Sequence, residues 1–272
     1  MRQYLDALKR VLDEGVDREG RNGKTRALFG MQVRYNMNDG FPAVTTKRLA
    51  FNAVKAELLW FLSGSSDNRE LQEMGCHIWD ANAEADYWKP KAAHEGDLGR
   101  IYGVQWRSFQ SPGKKPVDQI ARMIEGIRND PYGRRHVVVA WNPGELEDMA
   151  LPPCHMAFQF FVAENRLDLQ LYQRSCDMFL GVPFNIASYS LLLHMVAQVT
   201  GLMPREFIHT LGDAHIYHDH LDQVRTQIQR KPLALSRLSL NPDVRSIDDF
   251  RMEDIELLNY RHHTDINAPM AV

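Results

Sequence analysis

The sequence predicts an α+β fold, and three observations carry that prediction. Helical and strand-like segments are interspersed without the repeating strand–helix alternation of a doubly wound sheet. Two helical segments, "FNAVKAELLWFLSG" and "NIASYSLLLHMVAQVTG", are apolar around most of their circumference, which marks them as deeply buried. Between them lie three strand-like runs, "RRHVVVAWN", "MAFQFFV" and "RLDLQLYQRS". At 272 residues, 44% apolar and 25% charged, the chain has ample material for a core. No repeat or low-complexity linker interrupts it, so one continuous domain over residues 1–272 is expected.

In chain order, Arg2 to Glu14 places Leu5, Leu8, Val11 and Leu12 on one helical stripe, and Gly15 sits where a helix commonly stops. In the first buried helix, Val54, Leu58 and Phe61 lie at helical spacing around Glu57, which sets a carboxylate on the apolar stripe. Ala83 to Gly99 reads as a polar insertion. "VDQIARMIEGIRNDPYG" gives a second amphipathic helix through Ile120, Met123, Ile124 and Ile127, ending at Asn129-Asp130-Pro131. Arg134 and Arg135 then open a strand. Adjacent strand residues point to opposite faces, so at most one of them serves a pocket in its own chain. In "RLDLQLYQRSCD", Leu167, Leu169 and Leu171 take one face, and Asp168, Gln170, Tyr172 and Arg174 the other. The turn "FLGVPFN" leads into the second buried helix, with Asn185 at its start as an N-cap or as an amide facing a planar base.

Several side chains are candidates for chemistry. A buried Glu57 is costly unless it meets an arginine or carries a raised pKa and shuttles protons. Arg174 and Ser175, at a strand end, either belong to a solvated face or donate to an anion, since a guanidinium matches phosphate oxygens in a fork. Arg21 lies in the basic loop "GRNGKTR", a second place for phosphate. The histidines of "LGDAHIYHDH" match no metal-binding spacing, and no metal is expected. Within that run His215 and Tyr217 share one face and suit a sugar or phosphate. Cys154, in "LPPCHMAFQF", is buried filler or nucleophile; strand parity groups it with Met156, Phe158 and Phe160, and two prolines precede it.

The totals exclude several classes. A net charge of −3 without long basic runs gives no reason to expect nucleic acid as a partner. The opening "MRQYLDALKR" lacks a signal-peptide core and no run reads as a membrane span, so a cytoplasmic protein is expected. Three cysteines without a C-x-x-C pair make neither a disulfide framework nor a metal clip.

Read together, "RSCDMFLGVPFNIASYSLL", "ALPPCHMAFQF", "TLGDAHIYHDH", "ELLWFL", "GDLGRIYGVQWR" and the terminal "APMAV" resemble the thymidylate synthase family along the whole chain. That resemblance implies an α+β domain with a large mixed sheet packed by helices, a homodimer formed through the sheet, and conversion of dUMP to dTMP. The co-substrate would be 5,10-methylenetetrahydrofolate, donating both carbon and hydride. Cys154 would add to C6 of uracil and so make C5 nucleophilic, with Arg174 favouring the thiolate. By the same resemblance Arg21, Arg174 and Ser175 hold the phosphate, and Arg134 and Arg135 reach the partner subunit's phosphate site. Asn185 reads the pyrimidine edge, His215 and Tyr217 bind the deoxyribose hydroxyl, and Gln173, Cys176, Asp177 and Ile216 complete the dUMP contacts. Glu57, Tyr102 and His155 belong to the catalytic group. Trp79, Asp177 and Ala271, the last within a closing tail, face the folate. Departures from the family pattern fall mostly on the folate side: Ala50 for a histidine, Asn82 for a tryptophan, Arg100 for a proline, an altered "YRHHTDINAPMAV", and a shorter Arg21 loop. A hydroxymethylase of the same family, which quenches the intermediate with water, is the alternative.

Overall fold

The computed structural model describes residues 1–20 and 22–269. A helix, α1 (Arg2–Glu14), precedes the hairpin of β1 (Val16–Gly20) and β2 (Gly23–Asn36). Next come α2 (Phe51–Ser63), the short α3 (Asn68–Glu73) and α4 (Asp80–Ala83), α5 (Tyr102–Arg107) and α6 (Gln119–Asn129). Three strands, β3 (Val137–Val139), β4 (His155–Ala163) and β5 (Arg166–Asp177), lead to α7 (Gly181–Thr200) and β6 (Met203–Tyr217). The chain closes with α8 (Leu221–Gln229) and the two-stranded ribbon of β7 (Arg237–Leu240) and β8 (Ile255–Leu258).

The main sheet has the order β1-β2-β6-β5-β4-β3. It is mixed, because β5 and β6 are parallel while every other neighbouring pair is antiparallel. A parallel pair needs a crossover, and α7 supplies it, packing on both strands it joins. The β4–β5 hairpin turns through Glu164 and Asn165, whose φ of 52° and 60° suit the tight turn between twisted strands. α1 covers β2, while α2 packs on α7 and α5, so the helices gather over one face of the sheet. The predicted stripes of α1 and α6 are buried, as are both apolar helices. One hydrophobic cluster runs from Met1 to Ile255.

The other face stays open. Gln32 and Arg34 on β2, Gln170 and Tyr172 on β5, and Gln159 and Phe161 on β4 are exposed side by side, with Phe161 at 57%. Asp168 departs from the predicted polar face: it is buried and grips Arg205 and the Glu206 amide.

Four sequence expectations need correction. Asn185 is no N-cap, because α7 starts four residues earlier at Gly181, and Asp177 instead accepts the amides of Phe179 and Leu180. Arg134 and Arg135 do not open a strand; both lie exposed in the turn before β3, whose ladder begins where Val137 meets Gln159. The segment from Ala83 to Gly99 is not a loose polar insertion, since it buries Trp88 and Leu98 and turns around Asp97, which accepts from Ala93, Gly99 and Ser66. Finally, α7 is long and apolar enough to cross a membrane, with mean hydropathy 1.2, but 83% of that span is buried inside the protein. It is a core helix.

Candidate active site

Cys154 sits just ahead of β4, half-buried, and the backbone there is held on both sides. Its amide donates to Tyr102 Oη at 2.7 Å, and its carbonyl accepts from the Arg174 amide at 2.9 Å. The Arg174 guanidinium donates to both preceding carbonyls, Pro152 and Pro153, at 2.9 Å each, and lies over the Trp141 ring. Gly212 allows this approach: a Cβ there would come within 2.9 Å of the Arg174 carbonyl. Burial pushes the Cys154 thiol above its ordinary pKa, and Arg174, Tyr102 and Ser175 pull it back only in part. The expected effect of Arg174 on the thiolate is therefore present but outweighed.

The strand parity that grouped Cys154 with Phe158 and Phe160 is broken by a β-bulge. His155 pairs with Gln173 and Ala157 with Tyr172, so two steps on β4 match one on β5. Met156 is the extra residue, and the bulge brings His155 onto the core side with Phe158 and Phe160.

On that side a run of side-chain hydrogen bonds crosses the core. Gln173 Nε2 donates to the Ser175 carbonyl at 3.0 Å, which fixes the orientation of its amide because a carbonyl only accepts. The same nitrogen donates to Asn185 at 3.0 Å, so the Asn185 atom facing it is the oxygen. Asn185 Nδ2 then donates to His155 Nε2 at 2.9 Å, while Gln173 Oε1 accepts from His209 Nε2 at 2.8 Å. Burial depresses both histidines to a pKa of about 3, His209 with a further push from His155. His155 is neutral, as an accepting Nε2 requires, and burial keeps His209 neutral as well. After these bonds Asn185 still has one N–H and one oxygen lone pair for a ligand.

Glu57, 6% exposed on α2, pairs with no arginine among the described residues; Trp79 Nε1 donates to its Oε1 at 2.7 Å. Desolvation raises its pKa to about 7, with Trp79 opposing. Tyr102 stacks on Phe61 at 4.9 Å and lies 4.9 Å from the His155 ring, so phenol, imidazole and carboxyl share one enclosure. Gly103 permits that packing, because a Cβ there would meet the Phe61 carbonyl at 2.4 Å. Two buried polar atoms at this wall, His155 Nδ1 and Tyr189 Oη, have no partner among the described residues. Such atoms are what a bound ligand or water satisfies.

The other predicted residues fall into several groups. Ser175, His215 and Tyr217 lie on neighbouring strands, with Ser175 paired to Asp213 and Asp177 to His215; His215 Nδ1 meets Asp213, and its ring stands edge-on to Tyr217. Cys176 and Ile216 are fully buried on the opposite parity, so any ligand contact is through their backbone, and burial drives the Cys176 thiol upward. Arg134 and Arg135 stay outside this enclosure, and Arg21 and Ala271 lie outside the described residues. Trp79 is buried against Trp60, Phe61 and Tyr102. Among the described residues no group of three His, Cys, Asp or Glu is arranged for a metal; His218 and His220 are bonded to Asp17 and Pro269. Sequence reasoning missed His209 and Tyr189. His209 follows Phe207 at alternate spacing on β6, a polar residue on an apolar parity, and that was the available signal.

Fold and site together define a class: an α+β protein whose mixed sheet presents a half-buried cysteine beside a fixed amide and a carboxyl of raised pKa. The chain belongs to the thymidylate synthase family, whose sequence model matches residues 2–272, the whole length bar the first residue. It is accordingly a transferase of nucleotide biosynthesis, of thymidylate synthase or related type, in a family that acts with methylenetetrahydrofolate.

Proposed function

We propose that the protein catalyses the reductive methylation of dUMP to dTMP. The observation that carries this reading is the orientation of Asn185. Because its amide is anchored through Gln173 to the Ser175 carbonyl, the donor and the acceptor it offers come in a fixed order. Uracil presents N3–H and O4 as donor and acceptor, and cytosine presents the reverse, so a fixed amide selects between them.

Arg21, Arg174 and Ser175, with Arg134 and Arg135 of the partner subunit, hold the phosphate; His215 and Tyr217 hold the sugar. Cys154 adds to C6 as the thiolate, and the electron pair moves through C5 toward O4, so C5 becomes the nucleophile. The raised thiol pKa in the free protein means that substrate binding completes the activation. Glu57, its pKa raised by burial to about 7, gives and takes the protons of this step. The carboxylate of Asp177, with one oxygen held by two backbone amides, and the wall at Trp79 suit a reduced folate, together with the tail around Ala271. Bound there, 5,10-methylenetetrahydrofolate supplies the one-carbon unit and the hydride. Apolar packing around Trp79 keeps water from the site, which favours methyl over hydroxymethyl. The open sheet face with Phe161 and Tyr172 supports a homodimer, which would bring Arg134 and Arg135 to the neighbouring site.

The test is the product. With dUMP and methylenetetrahydrofolate, mass spectrometry is expected to find dTMP with dihydrofolate. Hydroxymethyl-dUMP with tetrahydrofolate would overturn the methylation reading and leave the hydroxymethylase.

A further inference from the structure

Two backbone segments converge on the thiol, and one ion pair joins them upstream. Residues 97–100 run beside residues 148–150: the Arg100 amide donates to the Asp148 carbonyl at 2.9 Å, the Ala150 amide to the Leu98 carbonyl at 3.0 Å, and Gly99 bridges Met149. Tyr102 follows the first segment and Cys154 the second, and there they meet again through the Cys154 amide and the Tyr102 phenol. Before that junction Arg100 Nε lies 2.7 Å from Glu145 Oε2, with side chains only 23% and 15% exposed. The contact is charge against charge, since the Nε–H does not point along it. Other groups hold the pair in place. Gln105 Nε2 donates to the same carboxylate at 2.7 Å and Asn142 Nδ2 at 3.1 Å, while Arg100 donates to the Ser108 carbonyl at 2.7 Å. Burial pushes the Glu145 carboxyl up, but Arg100, Gln105 and Asn142 together hold it below its ordinary range.

We infer that Arg100 and Glu145 are a positioning pair for Cys154. The pair fixes the Tyr102 phenol against the Cys154 amide and thereby sets how deeply the thiol is screened from water. Arg174 clamps Pro152 and Pro153 from the other side, so losing the ion pair frees one flank of the cysteine and leaves the other held. Less screening lowers the cost of the thiolate, and because burial is the largest cause of the raised pKa this outweighs the loss of the Tyr102 contact, which pulls the other way. The inference rests on Cys154 being the reacting group, but thiol reactivity is read without nucleotide or folate, so failure here is distinct from failure of the proposed reaction.

The experiment is iodoacetamide alkylation of the full chain across pH, with the modified thiols located by peptide mass spectrometry. In Arg100→Met and in Glu145→Gln, Cys154 is expected to react roughly three- to tenfold faster near neutral pH, because alkylation follows the thiolate fraction. The pH midpoint falls, the double variant goes no further than either single one, and Arg100→Lys stays near the parent. Cys76 and Cys176, both buried, remain unmodified. An unchanged Cys154 profile in Arg100→Met overturns the inference. So does simultaneous reaction of all three cysteines, which would show that the pair only stabilises the fold.

Discussion

The thiol flank of the site and the amide flank are built on opposite terms. Around Cys154 the contacts are mostly to backbone: Tyr102 to an amide, Arg174 to two proline carbonyls, and the reactive group itself is left with a raised pKa. Around Asn185 the contacts are between side chains, all neutral and nearly all bonded, from His209 through Gln173 and Asn185 to His155. One flank holds its reacting atom in place yet leaves its thiolate disfavoured by burial, for a substrate to complete. The other arrives finished, and its task is to be rigid. Positioning by backbone tolerates a change of chemistry at the tip, whereas a relay of side chains fails when any one member is replaced.

That contrast breaks most sharply at the cysteine. Cys154→Ala is expected to lower turnover by at least about 10³-fold, the loss typical of removing a nucleophile, while equilibrium titration still shows dUMP binding. Next, Glu57→Gln is expected to cost about 10²-fold in kcat, within the range of general acid–base catalysis, and to remove the pH dependence near 7. The sign for stability is opposite. A carboxyl raised from 4.5 to about 7 loses stability as pH rises through that window, so the variant gains up to ~3 kcal/mol at pH 8, read by denaturant unfolding.

On the amide flank, Gln173→Met leaves the Asn185 oxygen and His209 without their partner. The expected cost is about 1–3 kcal/mol in dUMP affinity, from leaving buried polar groups unpaired, together with weaker discrimination against dCMP. A normal preference for dUMP in this variant would show that the relay does not orient the amide. A separate effect, outside turnover and binding, is on acid stability. His155 and His209 are depressed from 6.5 to about 3, so the stability they contribute is present above pH 6.5 and fades as pH falls toward 3. Each protonation should cost roughly 3 kcal/mol by pH 4, and His209→Asn should remove one of the two and so flatten that acid limb.

Much of this was legible in the sequence, for physical reasons. Helical periodicity marked α1, α6 and the two buried helices because burial there follows one stripe or a full circumference. Glu57 was found by its place on an apolar stripe. What escaped depended on partners far along the chain. The Met156 bulge exists only as a mismatch of count between β4 and β5. Asn185 looked like a cap because a helix start with Gly181 and Pro183 resembles a turn. The burial of Trp88 is set by Gly99 and the Asp97 carbonyl, which no local pattern announces. His209 and Tyr189 enter the site only through folding, and residue parity was the one signal that pointed to either.

The central claim is that Cys154 turns C5 of the pyrimidine into a nucleophile, and loss of the C5 hydrogen reports it directly. With dUMP tritiated at C5 and methylenetetrahydrofolate, the protein is expected to release tritium to water in step with product, and Cys154→Ala to release none. Product formation with the label retained, or release at the parent rate from Cys154→Ala, would contradict the account.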